Sequence, residues 1–160
     1  MKIVMLDIDG VLNSGAFVKA QGWQTHHADY LCRRWEKMID PVAVGRLNRL
    51  LEVTKAKIVV SSSWRVGLTQ IELEQLFRNV GVKGEVYGYT PTRVENRKGR
   101  GDEIQAWLTM MQPEKFAFVI LDDGDDMLHL KPYLVRTNPE VGLTEADVDL
   151  AIEMLGLFTV

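Results

Sequence analysis

The chain has 160 residues and a mass of 18.2 kDa, and 46% of its residues are hydrophobic. This length and composition suffice for one well-buried domain, so we expect a single domain over residues 1–160. The net charge of −3 and the pI of about 5.6 exclude a globally basic surface that would draw the chain onto nucleic acid or an anionic membrane.

The single cysteine, Cys32, excludes an internal disulfide and is typical of a protein from a reducing compartment. The first residues lack the pattern of a secretory signal, and no apolar stretch approaches the roughly 18 residues of a membrane span. We therefore expect a soluble, cytoplasmic protein with no membrane partner.

The first predicted strand is the apolar run 3–6, and it is followed at once by Asp7, Asp9 and Gly10. Alternation along an extended chain places the two carboxylates on the same side. Such charges repel each other, and Mg²⁺, which prefers hard oxygen ligands, would neutralise them. On these residues alone, the stretch fits an acidic turn as well as a metal site.

Residues 14–40 show no clear apolar period until about residue 31, so we expect a loop with a short helix. His26 and His27 are adjacent and would face apart on regular structure, so we give them no ligand role. A helix is predicted to begin at Pro41 with Asp40 as its cap.

The second predicted strand, Lys57–Val60, is followed by the sequence SSSWR, residues 61–65. If this strand ends at the same sheet edge as Asp7, the hydroxyls of Ser61 and Ser62 would donate to phosphate oxygens there. Serine clusters are also ordinary turn chemistry. A helix is then predicted from about residue 69 to 80, and a third strand over 85–89.

The polar loop 90–100 holds four basic residues and precedes a helix predicted over 102–110. Such a cluster is often only a solvated surface, although a helix N-terminus also favours anions. Lys98 and Arg100 both qualify as a cation that offsets charge on a carboxylate or a phosphoryl group.

The fourth predicted strand, 116–121, ends in Asp122, Asp123, Asp125 and Asp126. Beside Asp7, this charge would be unfavourable without a cation. We expect Asp125 and Asp126 to cap the next short helix. A fifth strand is predicted over 133–136 and a closing helix over 144–157.

Strands that alternate with helices predict an α/β fold with a doubly wound parallel sheet of about five strands. Ligands of such sheets bind at the carboxyl ends of the strands, where all the polar motifs of this chain lie. In order along the chain, these motifs resemble those of the haloacid dehalogenase (HAD) superfamily. DIDGVLN resembles its first motif, KIVVSSSWR its second, the basic residues before a helix its third, and VILDDGDD its fourth.

The resemblance implies a HAD-like Rossmannoid fold, with residues 14–40 as a small flap or cap after the first strand. It implies that Asp7 is a nucleophile that becomes an aspartyl phosphate and that Asp9 is a general acid and base. Dehalogenases of the superfamily lack the second Asp, so Asp9 favours phosphoryl transfer. Ser61 matches the serine of the second motif best, and Ser62 remains an alternative because a shift of one residue in the alignment would place it there. The small flap leaves an open cleft that admits a bulky substrate.

The resemblance also implies that Mg²⁺ binds to Asp7, to Asp122 and to the backbone carbonyl of Asp9. Asp123 would either bind the ion directly or contact one of its ligands. Either Lys98 or Arg100 would be the third-motif cation. The candidate substrate-binding residues are Ser62, Arg65 and Gly10.

SSSWR together with RGDEIQAWL and LDD looks most like the HAD domain of Swiss-army-knife RNA repair proteins, and loosely like the phosphatase half of polynucleotide kinase. This implies removal of a phosphate from a nucleotide or a nucleic-acid end, and a local arginine strip would bind the backbone. The strip consists of Arg33, Arg34, Arg65, Arg93 and Arg97. Arg65 fits pairing with an acidic loop residue equally well. Two alternatives are a phosphatase of small metabolites and a non-catalytic module that binds a phosphorylated ligand.

Overall fold

The structure is a computed structural model that describes residues 1–22, 35–111 and 116–157. Its centre is one five-stranded sheet in which every strand pair is parallel, in the order β3-β2-β1-β4-β5. The strands are β1 (Lys2–Leu6), β2 (Lys57–Val60), β3 (Val86–Tyr89), β4 (Ala117–Asp122) and β5 (Leu134–Arg136). The predicted α/β fold with about five parallel strands is confirmed.

Helices connect the strands and cover both faces of the sheet. The α-helices are α1 (Gly15–Ala20), α2 (Pro41–Thr54), α3 (Trp64–Gly67), α4 (Gln70–Asn79), α5 (Arg100–Met110) and α6 (Glu145–Leu157). Two 3-10 helices span Trp35–Met38 and Leu128–Tyr133. As predicted, α2 begins at Pro41, with the Asp40 carboxylate accepting the N–H of Val42 at 2.8 Å.

The hydrophobic core has one half on each side of the sheet. Alternation along β1 sends Val4 and Leu6 to the face covered by α2, α4 and α6, and it sends Ile3 and Met5 to the face covered by α5. These four side chains are fully buried. A strand that is buried on both faces reads as a continuous apolar run, which is why the strands were visible in the sequence.

The strand order reverses between β1 and β4. The chain runs outward from β1 through β2 to β3 and then returns to β4 on the other side of β1. Leu6 pairs with Leu121, so the residues that come next, Asp7 and Asp122, emerge side by side at the carboxyl edge. This reversal is the place where ligands bind in open α/β sheets.

The expectation that Asp125 and Asp126 cap the next short helix is wrong. The 3-10 helix Leu128–Tyr133 has Met127 at its N-cap and no side-chain cap. Asp125 instead lies 3.7 Å from both Lys131 and Arg136.

Asp126 caps α5, 26 residues away along the chain. Its Oδ2 accepts the N–H of Arg100 at 2.8 Å, and its carbonyl accepts the N–H of Gly101 at 3.1 Å. A side chain at position 101 would overlap the backbone of Met127, so glycine is needed for this close approach. The Asp126 carboxylate therefore accepts from a free N–H group at the start of α5 and not from the 3-10 helix that follows it in the sequence.

Between β1 and α2 the structure describes α1 and the 3-10 helix Trp35–Met38. Residues 23–34 lie outside the described residues, and with them His26, His27, Cys32, Arg33 and Arg34. The flap at 14–40 and the single domain over 1–160 stay predictions. Within the described part of the chain, every helix is too short or too polar to cross a bilayer.

Candidate active site

Three carboxylates converge at the carboxyl edge where the strand order reverses. Asp7 follows β1, Asp122 ends β4, and Asp123 comes next. Each offers one oxygen, and these oxygens lie within 4.8 Å of one another. Asp7 and Asp122 are buried, with 5% and 3% of their surface exposed. The cluster thus brings together three of the predicted metal ligands.

Burial and mutual repulsion make the ionised form of this cluster costly. Burial, followed by the charge of Asp122, raises the pKa of Asp7 to about 7, although Arg100 and a hydrogen bond from the Ser62 hydroxyl oppose the rise. Burial likewise raises the pKa of Asp122 to about 6. The pKa of Asp123 is also raised, by burial and then by the charge of Asp9. A bound cation would relieve all three.

One buried carboxylate oxygen has no hydrogen-bond donor in the described part of the chain. Asp122 Oδ1 accepts the N–H of Gly124 at 2.8 Å, but Asp122 Oδ2 accepts nothing, and Arg100 Nε lies 3.6 Å from it. Buried acceptors are normally satisfied, so this oxygen requires another partner. An unsatisfied oxygen among three clustered carboxylates fits a hard divalent cation such as Mg²⁺.

The side chain of Asp9 lies outside this group of three, and the two hydrogen bonds that it makes with described residues go to one oxygen. Asp9 Oδ1 accepts from Asn13 Nδ2 at 2.9 Å and from Trp64 Nε1 at 3.0 Å. Asn13 also accepts the N–H of Gly10 at 3.0 Å, which closes the turn after β1. The carboxylate is therefore held beside the cluster rather than in it.

Gly10 makes close packing between the first turn and the acidic loop possible. Its φ of +71° favours glycine, and a Cβ there would lie 2.5 Å from Asp123 Oδ2. Its carbonyl accepts from Thr137 Oγ1 at 2.7 Å. Gly10 is thus a spacing element of the site, and a role in substrate binding stays a prediction.

The two serines of the second motif have different partners. The Ser62 hydroxyl hydrogen-bonds to the Asp7 carboxylate. Ser61 is buried at the end of β2, and its hydroxyl accepts from Thr90 Oγ1 at 3.3 Å. Between the two positions that the sequence leaves open, the geometry favours Ser62 for contact with the nucleophile candidate.

Arg100 reaches the two buried carboxylates of the acidic cluster. Its Nη2 lies 3.8 Å from Asp7 Oδ2, and its Nε lies 3.6 Å from Asp122 Oδ2. Burial alone would lower the pKa of Arg100, but the nearby carboxylates outweigh it and raise that pKa. Lys98 is exposed, and in the described part of the chain its contact is through its backbone N–H, which donates to Asp102 Oδ2 at 2.6 Å. Of the two third-motif candidates, the geometry favours Arg100.

Sequence reasoning missed Glu103, which holds three arginines. This carboxylate is only 4% exposed, and it lies 2.8 Å from Arg65 Nη2, 2.7 Å from Arg97 Nε and 2.9 Å from Arg100 Nη1. The available signal was its position three residues after Arg100, a spacing that places the two residues on one face because α5 begins at Arg100 and not at the predicted residue 102. Glu103 fixes the guanidinium that contacts Asp7.

Arg65 serves the scaffold. Its side chain is 5% exposed, and it donates from Nε to the carbonyl of Ser62 at 2.6 Å, from Nη1 to the carbonyl of Thr90, and from Nη2 to Glu103. Burial lowers its pKa. The acidic partner is therefore on a helix rather than in a loop, and the geometry gives no support to substrate binding by Arg65.

The comparisons with known proteins agree with this geometry. A family model described as the HAD domain in Swiss Army Knife RNA repair proteins matches residues 3–148. The chain belongs to this family. The match contains every residue of the HAD site described above, and HAD domains are generally hydrolases of the phosphatase type. Comparison with curated proteins and with solved structures gives no match.

Proposed function

We propose that this HAD domain is a Mg²⁺-dependent phosphatase that hydrolyses a phosphomonoester at the end of a nucleotide or a nucleic acid. One observation carries the proposal. The Asp7 carboxylate belongs to a cluster of three acids and at the same time faces the Ser62 hydroxyl and the Arg100 guanidinium. An acid between cation ligands and anion-binding groups is suited to attack a bound phosphate.

In the first step, an oxygen of Asp7 forms a bond to phosphorus while the bond from phosphorus to the ester oxygen breaks. Asp9 gives its proton to the departing oxygen, which leaves as an alcohol. The product on the enzyme is an aspartyl phosphate at Asp7. Ser62 and Arg100 donate to the remaining phosphoryl oxygens throughout.

In the second step, Asp9 takes a proton from a water molecule, whose oxygen attacks phosphorus. The bond between phosphorus and Asp7 breaks, so that inorganic phosphate leaves and both carboxyl groups return to their starting states. Asp7, Asp122 and Asp123 would hold Mg²⁺, which when bound would offset negative charge on these acids and on the phosphate.

Two features support a nucleotide or nucleic-acid substrate. Arg93 and Arg97 are exposed in the loop before α5, and the buried Glu103 anchors Arg97 at 2.7 Å. Exposed arginines beside a phosphate site suit a chain that carries further phosphates. The description of the family as part of RNA repair proteins favours the same class.

The test is a phosphate-release screen with metal-stripped protein, with and without Mg²⁺. Substrates are end-phosphorylated oligonucleotides, nucleoside monophosphates and sugar phosphates. We expect Mg²⁺-dependent release that is fastest with a nucleic-acid end and absent in Asp7→Asn. The matched control is Asp125→Asn, an exposed acid of the same loop region, which should keep wild-type activity.

Other outcomes are equally informative. Fastest release from sugar phosphates would support a phosphatase of small metabolites. Binding of phosphorylated ligands without release would support a non-catalytic module. Release that persists in Asp7→Asn would reject Asp7 as the nucleophile.

A further inference from the structure

Trp64 is the first residue of α3, and it is fully buried. Its indole ring packs against Trp35, with ring centroids 4.8 Å apart and an angle of 58° between the planes. Its backbone N–H reaches the hydroxyl of Ser62 at 3.4 Å. Because the ring is enclosed and the backbone is anchored, the indole N–H points in one fixed direction, toward Asp9 Oδ1 at 3.0 Å.

The chemistry of the donors decides which oxygen of Asp9 is available. An indole nitrogen can only donate a hydrogen bond, and an amide nitrogen such as Asn13 Nδ2 likewise only donates. Both donate to Oδ1, and Oδ2 receives no hydrogen bond from the residues that the structure describes. Two donors thus occupy Oδ1, and among the described contacts Oδ2 is the oxygen that remains available to a leaving group or a water molecule.

We infer that Trp64 is a positioning residue for Asp9: its indole N–H holds Oδ1 and so fixes Oδ2 as the oxygen that exchanges protons with the leaving group and with water. This inference rests on the proposed function, in which Asp9 is the general acid and base. Among the described contacts, the side chain of Trp64 reaches Asp9 and Trp35 but not Asp7. It acts through the direction of one carboxyl group.

The inference predicts a dependence on the leaving group. A nitrophenolate leaves without a proton, whereas an alkoxide needs one, so a misdirected acid slows only the second reaction. The variant is Trp64→Phe, which keeps an aromatic ring and loses the N–H. We expect kcat/KM to fall by about 10–100-fold for an alkyl phosphate and by less than about threefold for p-nitrophenyl phosphate. Since kcat/KM covers only the steps up to loss of the leaving group, hydrolysis of the aspartyl phosphate does not obscure the comparison.

The chain offers a matched control in Trp107, a second buried tryptophan. Trp107 is 4% exposed, and it packs with Tyr87 and Phe116 on the opposite side of the sheet, away from Asp9. Trp107→Phe makes the same change in a similar environment. We expect it to lower stability and to leave the ratio of the two kcat/KM values unchanged.

A double-mutant cycle with Asp9→Asn separates positioning from packing. If Trp64 acts through Asp9, Trp64→Phe should have little further effect on kcat/KM once Asp9 is replaced. Equal losses for both substrates, or an undiminished loss in the Asp9→Asn background, would overturn the inference. Circular dichroism checks folding, and Trp64→Met, with a flexible side chain that fills buried space without a donor, replaces Trp64→Phe if that variant does not fold.

The inference and the proposed function fail in different ways. A wild-type protein that releases no phosphate from any substrate contradicts the proposed function itself, and the inference falls with it. A wild-type protein that is active, with the same leaving-group pattern in Trp64→Phe, contradicts only the role of Trp64.

Discussion

Replacing Asp7 by asparagine should stabilise the metal-free protein while it abolishes turnover. The carboxylate is buried beside Asp122, and its pKa is raised from 3.8 to about 7, by burial and then by that neighbour. Asparagine keeps an oxygen to accept the N–H of Ile8, which lies 2.7 Å from Asp7 Oδ1, and it removes the charge. The cost of ionising a buried acid is thus converted into a measurable gain in stability.

The sign and size of the effect follow from the two pKa values. Between pH 3.8 and about 7 the folded protein keeps the proton of Asp7 while the unfolded chain loses it, so the free energy of unfolding falls as pH rises through this window. The difference corresponds to about 4 kcal/mol at 1.36 kcal/mol per pH unit. Because Asp122 shares part of it, we expect Asp7→Asn to recover about 2–4 kcal/mol at pH 8 and little at pH 4.

The assay is urea denaturation in EDTA at several pH values, with Asp125→Asn as a control for loss of an exposed charge in the same region. With Mg²⁺ at about 1,000 times its Kd the order should reverse, because binding at that concentration stabilises the wild type by about 4.1 kcal/mol. A metal-free wild type that is equally stable at pH 5 and pH 8, and no less stable than Asp7→Asn, would refute this account of the cluster.

Three further substitutions test individual contacts of the site. Arg100→Gln should lower kcat by about 10²–10³-fold and Lys98→Gln by less than about threefold, and equal losses in steady-state assays would contradict the choice of Arg100. Glu103→Gln should lower the free energy of unfolding, measured by urea denaturation, by about 3–5 kcal/mol, because buried guanidinium groups lose their counter-charge. A decrease below about 1 kcal/mol would show that these arginines do not need the Glu103 charge. Gly10→Ala should lower the thermal midpoint and weaken its rise with Mg²⁺, since the added methyl group meets Asp123; an unchanged response to Mg²⁺ would rule out that close contact.

The strands and the position of the site were predictable because they depend on local and topological rules. β2 has the predicted bounds, and β4 differs from its prediction by one residue at each end. Continuous apolar runs mark strands that are buried on both faces. The rule that ligands bind at the carboxyl edge then brings Asp7 and Asp122 together without knowledge of side-chain positions.

The partners of the charged residues were not predictable, because they depend on tertiary contacts between distant segments. Glu103 looks like an ordinary acid in the first turn of a helix, and only the fold brings Arg65 to it from 38 residues away. Asp126 looks like a local cap, and Trp64 looks like a core residue. For Arg65 the sequence was equally consistent with substrate binding and with pairing to an acidic residue. Its burial and its hydrogen bonds to two backbone carbonyls favour the pairing.

The hydrogen bond between Asp126 and the first turn of α5 joins the acidic part of the site to its basic part. This contact joins the loop that carries Asp122 and Asp123 to the helix that carries Arg100. Because Gly101 has no side chain, the two backbones pack directly against each other, and their separation is fixed. A change in the length of the 122–127 loop would therefore shift the cation and its carboxylate neighbours together. The exposed segment around Arg93 is outside this contact, so we expect substitutions there to leave Arg100 and the carboxylates in place.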